Sequence, residues 1–471
     1  MSVHIYNSLT KHKETLIPFD PGGKRINMYT CGVTVYDQCH MGHARSLYVF
    51  DVIRRYLQHR GFQVKFVRNI TDVDDKIIHK ANELKKTSEE VARDNIALYY
   101  RDLESLGVSK ADNEPRATEN IPDIIKDVEG LIQKGFAYAL DGDVYFNVRK
   151  FSGYGRLSGQ SIEKMREAVR IEKGERKQDP LDFALWKKSK DGEPGWSSPW
   201  GEGRPGWHME CSCMSLKHLQ CETLDIHAGG RDLIFPHHEN EIAQAEALRG
   251  GTPFAKYWIH HGLITVNGQK MAKSAGNFIT IQDALKKYPL DDLKLFFLFS
   301  HYASNIDFTA QKMEEAHKAM QKFDVLFWKA HDLLQGKKFQ LTQTVDFVER
   351  HKSDFLAAMD DDFNTPKALA ALFELISDIN KFIDHASEDD NYFSTIYLGV
   401  DTIENLAGNI FGLFSKEAEH EPDEETRRLL EERRAARANK NFRRSDELRD
   451  TLKSKGIIVE DTKEGQVWRW A

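Results

Sequence analysis

The chain has 471 residues, 40% of them hydrophobic and 30% charged, with a formal net charge of −7 at pH 7. A chain this long holds roughly two to four domains, each able to bury its own core. The acidic balance excludes wholesale coating of nucleic acid but not a local basic patch. The five cysteines, Cys31, Cys39, Cys211, Cys213 and Cys221, are too few and too clustered for a disulfide framework, which leaves metal binding or reactive thiols. The opening MSVHIYNSLTKHKE has no apolar core, and no run approaches the ~20 apolar residues of a membrane span, so a cytoplasmic location is expected.

Taken in order, Ile26 to Thr30 reads as a strand, and from Gly42 onward Val49, Phe50, Ile53, Tyr56 and Leu57 recur at helical spacing before Gly61 stops them. QVKFVRNIT alternates like a strand, and Ala81 to Leu106 carries one long amphipathic pattern. Strand, helix, strand, helix predicts an α/β, Rossmann-like parallel sheet with ligands at the carboxyl ends of its strands. From Asn113 to Gly206 the pattern lapses, and KDGEPGWSSPWGEGRPGW reads as part of an insertion. Apolar β-type residues return at TLDIHAGG, followed by a helix predicted to begin near Pro236.

Beyond Ile306 the spacing is helical almost throughout. Met313, Met320, Phe323 and Phe327 form one stripe, and Leu369, Leu372, Ile376, Ile379 and Phe382 another, both read as bundle core. SKEAEHEPDEE is a linker candidate. The basic run that follows and the closing GIIVEDTKEGQVWRW suggest a small α/β module. The expected boundaries are 1–112 and 207–266 for the two halves of the catalytic domain, 113–206 for the insertion, 267–305 for a signature loop and stem-contact region, 306–414 for a helical bundle, 415–425 for the linker and 426–471 for the terminal module.

Three constellations carry chemistry. His40-Met41-Gly42-His43 lies between the first strand and the first helix. Glycine there lets a phosphate approach free backbone N–H groups and the positive helix end, and two imidazoles add donors. Surface histidines are the bland alternative, and position is what favours the functional one. In VNGQKMAKSAGN, Lys270 and Lys273 stand three apart between Gly268 and Gly276, placed to swing onto a triphosphate. Alone that spacing carries nothing; paired with the upstream H-x-G-H it becomes specific. Finally, His237 and Glu241 are four apart on one helix face, Cys211 lies in GWHMECSCM, and Cys31 ends the first strand. These four make a borderline-soft set that suits zinc, although by spacing alone Cys213 or Cys39 could replace either cysteine.

These stretches, with NITDVDDKI, DPLDFALWK, DIHAGGRDLIFPHHENEIAQ and MDDDFNTPKALA, resemble the class I cysteinyl-tRNA synthetases over nearly the whole chain. The resemblance implies one Zn2+ on Cys31, Cys211, His237 and Glu241, and a cysteine pocket formed by Gly32, Thr71, Trp207 and His227. It also implies an ATP site with His40, His43, Lys270 and Lys273 supplying charge, Gly230 and Asp232 near the nucleotide, and Mg2+ on the phosphates. The implied reaction joins L-cysteine and ATP to cysteinyl-adenylate with release of pyrophosphate, then transfers cysteine to the 3′-terminal adenosine of tRNA(Cys). Such a chain is expected to be a monomer without an editing domain, its helical region supporting the tRNA body and its basic module contacting the anticodon. Two positions depart from the family pattern: Ala272 replaces a serine, and Ala228 replaces a glycine, which questions the backbone path near His227. A related ligase that passes cysteine to an amino sugar shares the zinc and ATP motifs but lacks the basic terminal module.

Overall fold

The computed structural model describes residues 2–163, 165, 177–272, 276–341, 344–386, 390–414, 424–455, 457–462 and 465–470. The chain divides into two units, Met1–Phe414 and Ser415–Ala471. At the centre of the first is a four-stranded parallel sheet in the order Ala255–His261, Leu224–Gly230, Arg25–Thr30, Gln63–Arg68. Its strands are buried on both faces: Ile26 and Met28 pack into one core and Tyr29 into another, as parallel strands require. The chain leaves Arg25–Thr30 toward one sheet edge and leaves Leu224–Gly230 toward the other. The winding therefore reverses between these two strands, and their carboxyl ends open a crevice.

The helix Met41–His59 buries Ala44, Leu47, Tyr48, Phe50, Ile53, Tyr56 and Leu57, the face read from the sequence. The long pattern from Ala81 to Leu106 proves to be two helices, Asp75–Leu84 and Ser88–Ser105. Lys85 breaks them in the left-handed region (φ 53), and Thr87 with Glu90 forms a capping box that starts the second. The segment read as irregular also has regular structure. It holds the helix Ile121–Gln133 and an antiparallel sheet in the order Ala137–Leu140, Asp143–Phe146, Phe183–Lys188, Gly203–Pro205, with Val144, Phe146, Leu185 and Trp186 as core. Three of these strands have only three or four residues, too short to show alternation. The hairpin signal was the Asp141-Gly142 pair, whose φ values of 55° and 99° suit a tight two-residue turn.

Beyond the main sheet, Ile264–Val266 pairs antiparallel with Gln269–Lys270 and parallel with Ile306–Phe308. Asn267 (φ 50) and Gly268 (φ 75) turn that hairpin. The helices Ala310–Leu334, Asp346–Asp360, Thr365–His385 and Asp390–Ile403 follow. Met313, Met320, Phe323, Leu369, Leu372, Ile376 and Ile379 are buried, whereas Phe327 and Phe382 are half-buried at the edge of the stripes. In the second unit the helices Glu424–Ala438 and Phe442–Ser454 pack with the antiparallel hairpin Ile457–Thr462 and Gly465–Trp470 through Leu429, Leu448, Leu452 and Ile457. Most of the expected linker, residues 415–423, lies outside the described residues. Among the described residues no helix is long and apolar enough to cross a membrane.

Candidate active site

Cys31 follows directly on the strand Arg25–Thr30 at the mouth of the crevice. Cys211 projects from the helix Trp207–Leu219, and His237 and Glu241 come from the turn and helix after Leu224–Gly230. The regular helix Glu239–Leu248 starts three residues later than expected, because Phe235 is extended (φ −138, ψ 131) and a wide turn carries His237 and His238 before it. The i, i+4 relation survives: His237 Nε2 lies 2.7 Å from Glu241 Oε1.

Ligand atoms of Cys31, Cys211, His237 and Glu241 all lie within 4.8 Å of one another. Cys31, His227, His238 and Glu241 form an overlapping group by the same measure. Cys213 and Cys39 are elsewhere, in the core of the inserted sheet and in the main core respectively. Tetrahedral bonds of about 2.0–2.3 Å need donor separations near 3.3–3.8 Å, so small shifts would form the shell, with His237 and Glu241, now 2.7 Å apart, moving outward.

The protonation pattern fits a cation. Burial, with Cys211 and Glu241 adjacent, pushes the Cys31 thiol well up. Burial also opposes ionisation of Cys211, yet hydrogen bonds from Cys31 and His237 outweigh it and lower that thiol. Glu241 is held well below its ordinary value by His237 and His227 in spite of burial, and His237 rises to about 10 against its own burial because of Glu241 and Cys211. Protons on Cys31 and His237 thus hold lone pairs that would otherwise repel, and exchanging both for one dication leaves the net charge unchanged. His237 Nε2 is buried between Cys211 and Glu241, 2.7 Å from Glu241 Oε1. Its Nδ1 is 2.8 Å from His208 Nδ1, which fixes the ring.

Around this cluster the remaining pocket residues converge. The Trp207 ring stacks on His237 at 4.1 Å, and His227 bonds Glu241 Oε2 at 2.5 Å while stacking on Trp258 at 4.4 Å. Gly32 sits where a Cβ would fall 1.5 Å from the Asn69 carbonyl oxygen, so only glycine fits. Its N–H and the Tyr29 hydroxyl both donate to Asn69 Oδ1, at 2.8 and 2.9 Å. Thr71 is buried and donates to Glu210 Oε2 at 2.8 Å. Ala228 lies extended within its strand and accepts the Cys31 N–H through its carbonyl, so the backbone path there needs no glycine.

At the nucleotide end, His40 caps the helix Met41–His59. Its Nδ1 accepts from the N–H groups of Gly42 (3.0 Å) and His43 (3.4 Å), and His43 Nδ1 accepts from the His40 N–H at 3.2 Å. Met41 N–H is taken by the Ile279 carbonyl. The expectation of free backbone donors at this helix start is therefore corrected: the protein uses them itself. Gly42 is needed for a different reason, since a Cβ would meet the His40 ring at 2.8 Å. With both Nδ1 atoms accepting, the ring protons reside on Nε2, and burial, His40 and Lys76 hold His43 well below its ordinary value.

Gly230 ends its strand, and exposed Asp232 lies in the short turn that follows. Lys270 is exposed on its hairpin; Lys273 lies outside the described residues. Asn277 stitches this loop, donating to the Lys270 carbonyl (3.2 Å) and accepting from the Ala272 N–H (2.9 Å). That bond uses backbone, so the change from serine at Ala272 leaves it intact.

Sequence reading missed Asn69, His208, Glu210, His238, Asn277 and Arg45. Arg45 is buried and donates to the carbonyls of Gly262, Leu263, Tyr302 and Ser304, locking the first helix to the hairpin region. Its signal was present: an arginine two residues after the histidine pair, on an apolar helix face, must be buried and so must find acceptors.

Three family profiles match the chain: "tRNA synthetases class I (C) catalytic domain" over residues 19–318, "DALR domain" over 354–415 and "Cysteinyl-tRNA ligase anticodon binding domain" over 419–469. The cysteine–tRNA ligase of Aquifex aeolicus is 47% identical over 100% of this chain and 99% of its own length. That of Geobacter metallireducens is 46% identical over 100% of both. Among solved structures, Mycobacterium tuberculosis methionyl-tRNA synthetase in complex with methionyl-adenylate matches 83% of this chain and 92% of its own with a TM-score of 0.62 at 16% identity, a likeness of fold.

Proposed function

We propose a mechanism for a chain that belongs to the class I cysteine–tRNA ligases and charges tRNA with cysteine: it activates L-cysteine with ATP, releases pyrophosphate, and passes the cysteinyl group to the 3′-terminal adenosine of tRNA(Cys). Cys31, Cys211, His237 and Glu241 would hold zinc. When bound, the ion supplies a soft Lewis acid that accepts a thiolate and not the harder, less acidic hydroxyl of serine. The observation that carries this reading is the buried convergence of two sulfurs, a carboxylate and the His237 imidazole.

The protein's own groups do the rest. Trp207, Thr71, His227 and Gly32 form the wall against which the amino acid lies. The Nε2–H groups of His40 and His43 donate to phosphate oxygens, and Lys270 and Lys273 add charge as pyrophosphate leaves, with Mg2+ on the phosphates. Alignment and charge stabilisation dominate such a step, because the cysteine carboxylate is itself the nucleophile. The basic terminal unit contacts the anticodon, whose unpaired bases stack on aromatic rings and arginine planes.

Metal content measured beside cysteine-dependent ATP–pyrophosphate exchange, and beside tRNA charging with cysteine and with serine, tests this. Zinc near one equivalent, exchange and charging with cysteine, and none with serine are expected. Absence of exchange overturns it, and exchange without charging favours the amino-sugar ligase.

A further inference from the structure

A second buried carboxyl stands beside the metal cluster with one of its two oxygens unpartnered. Glu210 is 0% exposed, on the helix that carries Cys211. Its Oε2 accepts the Thr71 hydroxyl at 2.8 Å, whereas its Oε1 is buried without a hydrogen bond. Among the described residues it forms no ion pair, and the ionisable groups around it, Cys211, Asp72 and Asp74, are acidic. Burial and the neighbouring Cys211 hold this carboxyl well above its ordinary value, and its Oε1 is left as a buried acceptor that a donor must satisfy.

The hydrogen-bond directions show where that donor would come. Asn69 Oδ1 receives the Gly32 N–H and the Tyr29 hydroxyl, so its amide is oriented with Nδ2 toward Thr71, 3.2 Å away. An amide nitrogen can only donate. Thr71 Oγ1 must accept that bond and send its own proton to Glu210. A hydroxyl offers one donor and two acceptor positions, and the donor and one acceptor are now used. What remains at Thr71 is one lone pair, with the unpartnered Glu210 oxygen behind it: a receptor for an N–H donor group.

We infer that Glu210 is a positioning residue that, through Thr71, makes this wall of the pocket specific for the α-ammonium of the amino acid. This rests on the functional reading above. It divides recognition into two poles, sulfur at the metal cluster and ammonium at Thr71, so a thiol that lacks the amine is held at one pole only.

Two thiols separate the poles. Cysteamine has the ammonium without the carboxylate, and 3-mercaptopropionate has the carboxylate without the ammonium. Their affinities for the full, zinc-loaded chain can be measured by calorimetry, with zinc content as a second readout. Glu210→Gln keeps the shape, replaces one acceptor oxygen by an amide donor and can turn that donor toward Thr71. It should weaken cysteamine and L-cysteine roughly 10- to 100-fold, shift 3-mercaptopropionate by less than about threefold, and retain zinc. Thr71→Val should reproduce the selective loss and Thr71→Ser restore it, which decides the matter if Glu210→Gln does not fold. Equal weakening of both probes, or of neither, overturns the role of Glu210 while leaving the enzyme's function intact. A wild-type chain that binds neither probe overturns the functional reading itself, and this inference with it.

Discussion

His40 and His43 stack ring on ring at 3.9 Å and cap one another's backbone, so that the pair of imidazoles proposed to hold the nucleotide also starts a helix. The two roles use different nitrogens and can be separated. His40→Asn keeps a capping acceptor and should leave stability near wild type while slowing adenylate formation about a hundredfold or more. His40→Ala should lose the same activity and, in addition, about 1 kcal/mol of stability. Single-turnover kinetics and urea denaturation on the two variants check this; equal stability of both would dissociate the ring from the cap.

The two cysteines of the CSC segment face different surroundings. Cys211 belongs to the donor cluster, and Cys213 lies in the core of the inserted sheet, where burial and then Asp127 raise its thiol out of the ionisable range. Cys211→Ser should therefore lose zinc in elemental analysis, whereas Cys213→Ser should keep it and lose on the order of 1–2 kcal/mol of stability for the buried hydroxyl. Metal loss in the second variant and not the first would reverse the assignment.

Acid should destabilise the first unit through histidines buried in the neutral form. His261, whose Nδ1–H donates to the Gly262 carbonyl at 2.8 Å, is lowered to about 4, chiefly by burial. Its folded value lies below its unfolded one, so between about pH 6.5 and 4 the unfolded chain binds a proton that the folded chain does not. Stability falls as pH falls through that window, by about 1 kcal/mol per pH unit for this residue. His261→Asn should flatten the pH dependence of the urea midpoint by about that amount, and an unchanged slope would contradict it.

Asn277 ties the far end of the signature-lysine segment back to its start by bonding the backbone of Lys270 and Ala272. Asn277→Ala should lower the rate of adenylate formation about tenfold, with a smaller effect on the KM for L-cysteine. Lys273→Ala, at the position outside the described residues, should lower the same rate about a hundredfold or more. Parallel loss of cysteine affinity in the asparagine variant would show a general disruption and not a loop effect.

Long elements with a single face were legible in the sequence. The helix Met41–His59 and the Leu369 to Ile379 stripe follow from spacing because each buries one continuous side, and the strand Arg25–Thr30 from its β-type residues, buried on both faces. Short strands were not, since three or four residues cannot display a period, and Asp141-Gly142 was the one local cue to the inserted hairpin. The donor residues could be read because metal chemistry restricts them to a few residue types. Asn69 and Glu210 could not: an amide and a carboxylate are common, and only the fold reveals that one sits at 1% and the other at 0% exposure beside Thr71. Lys85 shows the opposite failure, a good helix former that a capping threonine two residues on forces into a break.

The donor cluster draws Cys31 from before the insertion and Cys211, His237 and Glu241 from after it. A growing polypeptide therefore holds one donor sulfur until Cys211 is made and an incomplete set until Glu241 is, about two hundred residues after Cys31, and the ion can lock in only as a late event of maturation. If the chain were severed inside the insertion, neither piece would own a complete coordination shell, and reunion of the two would become a metal-dependent association.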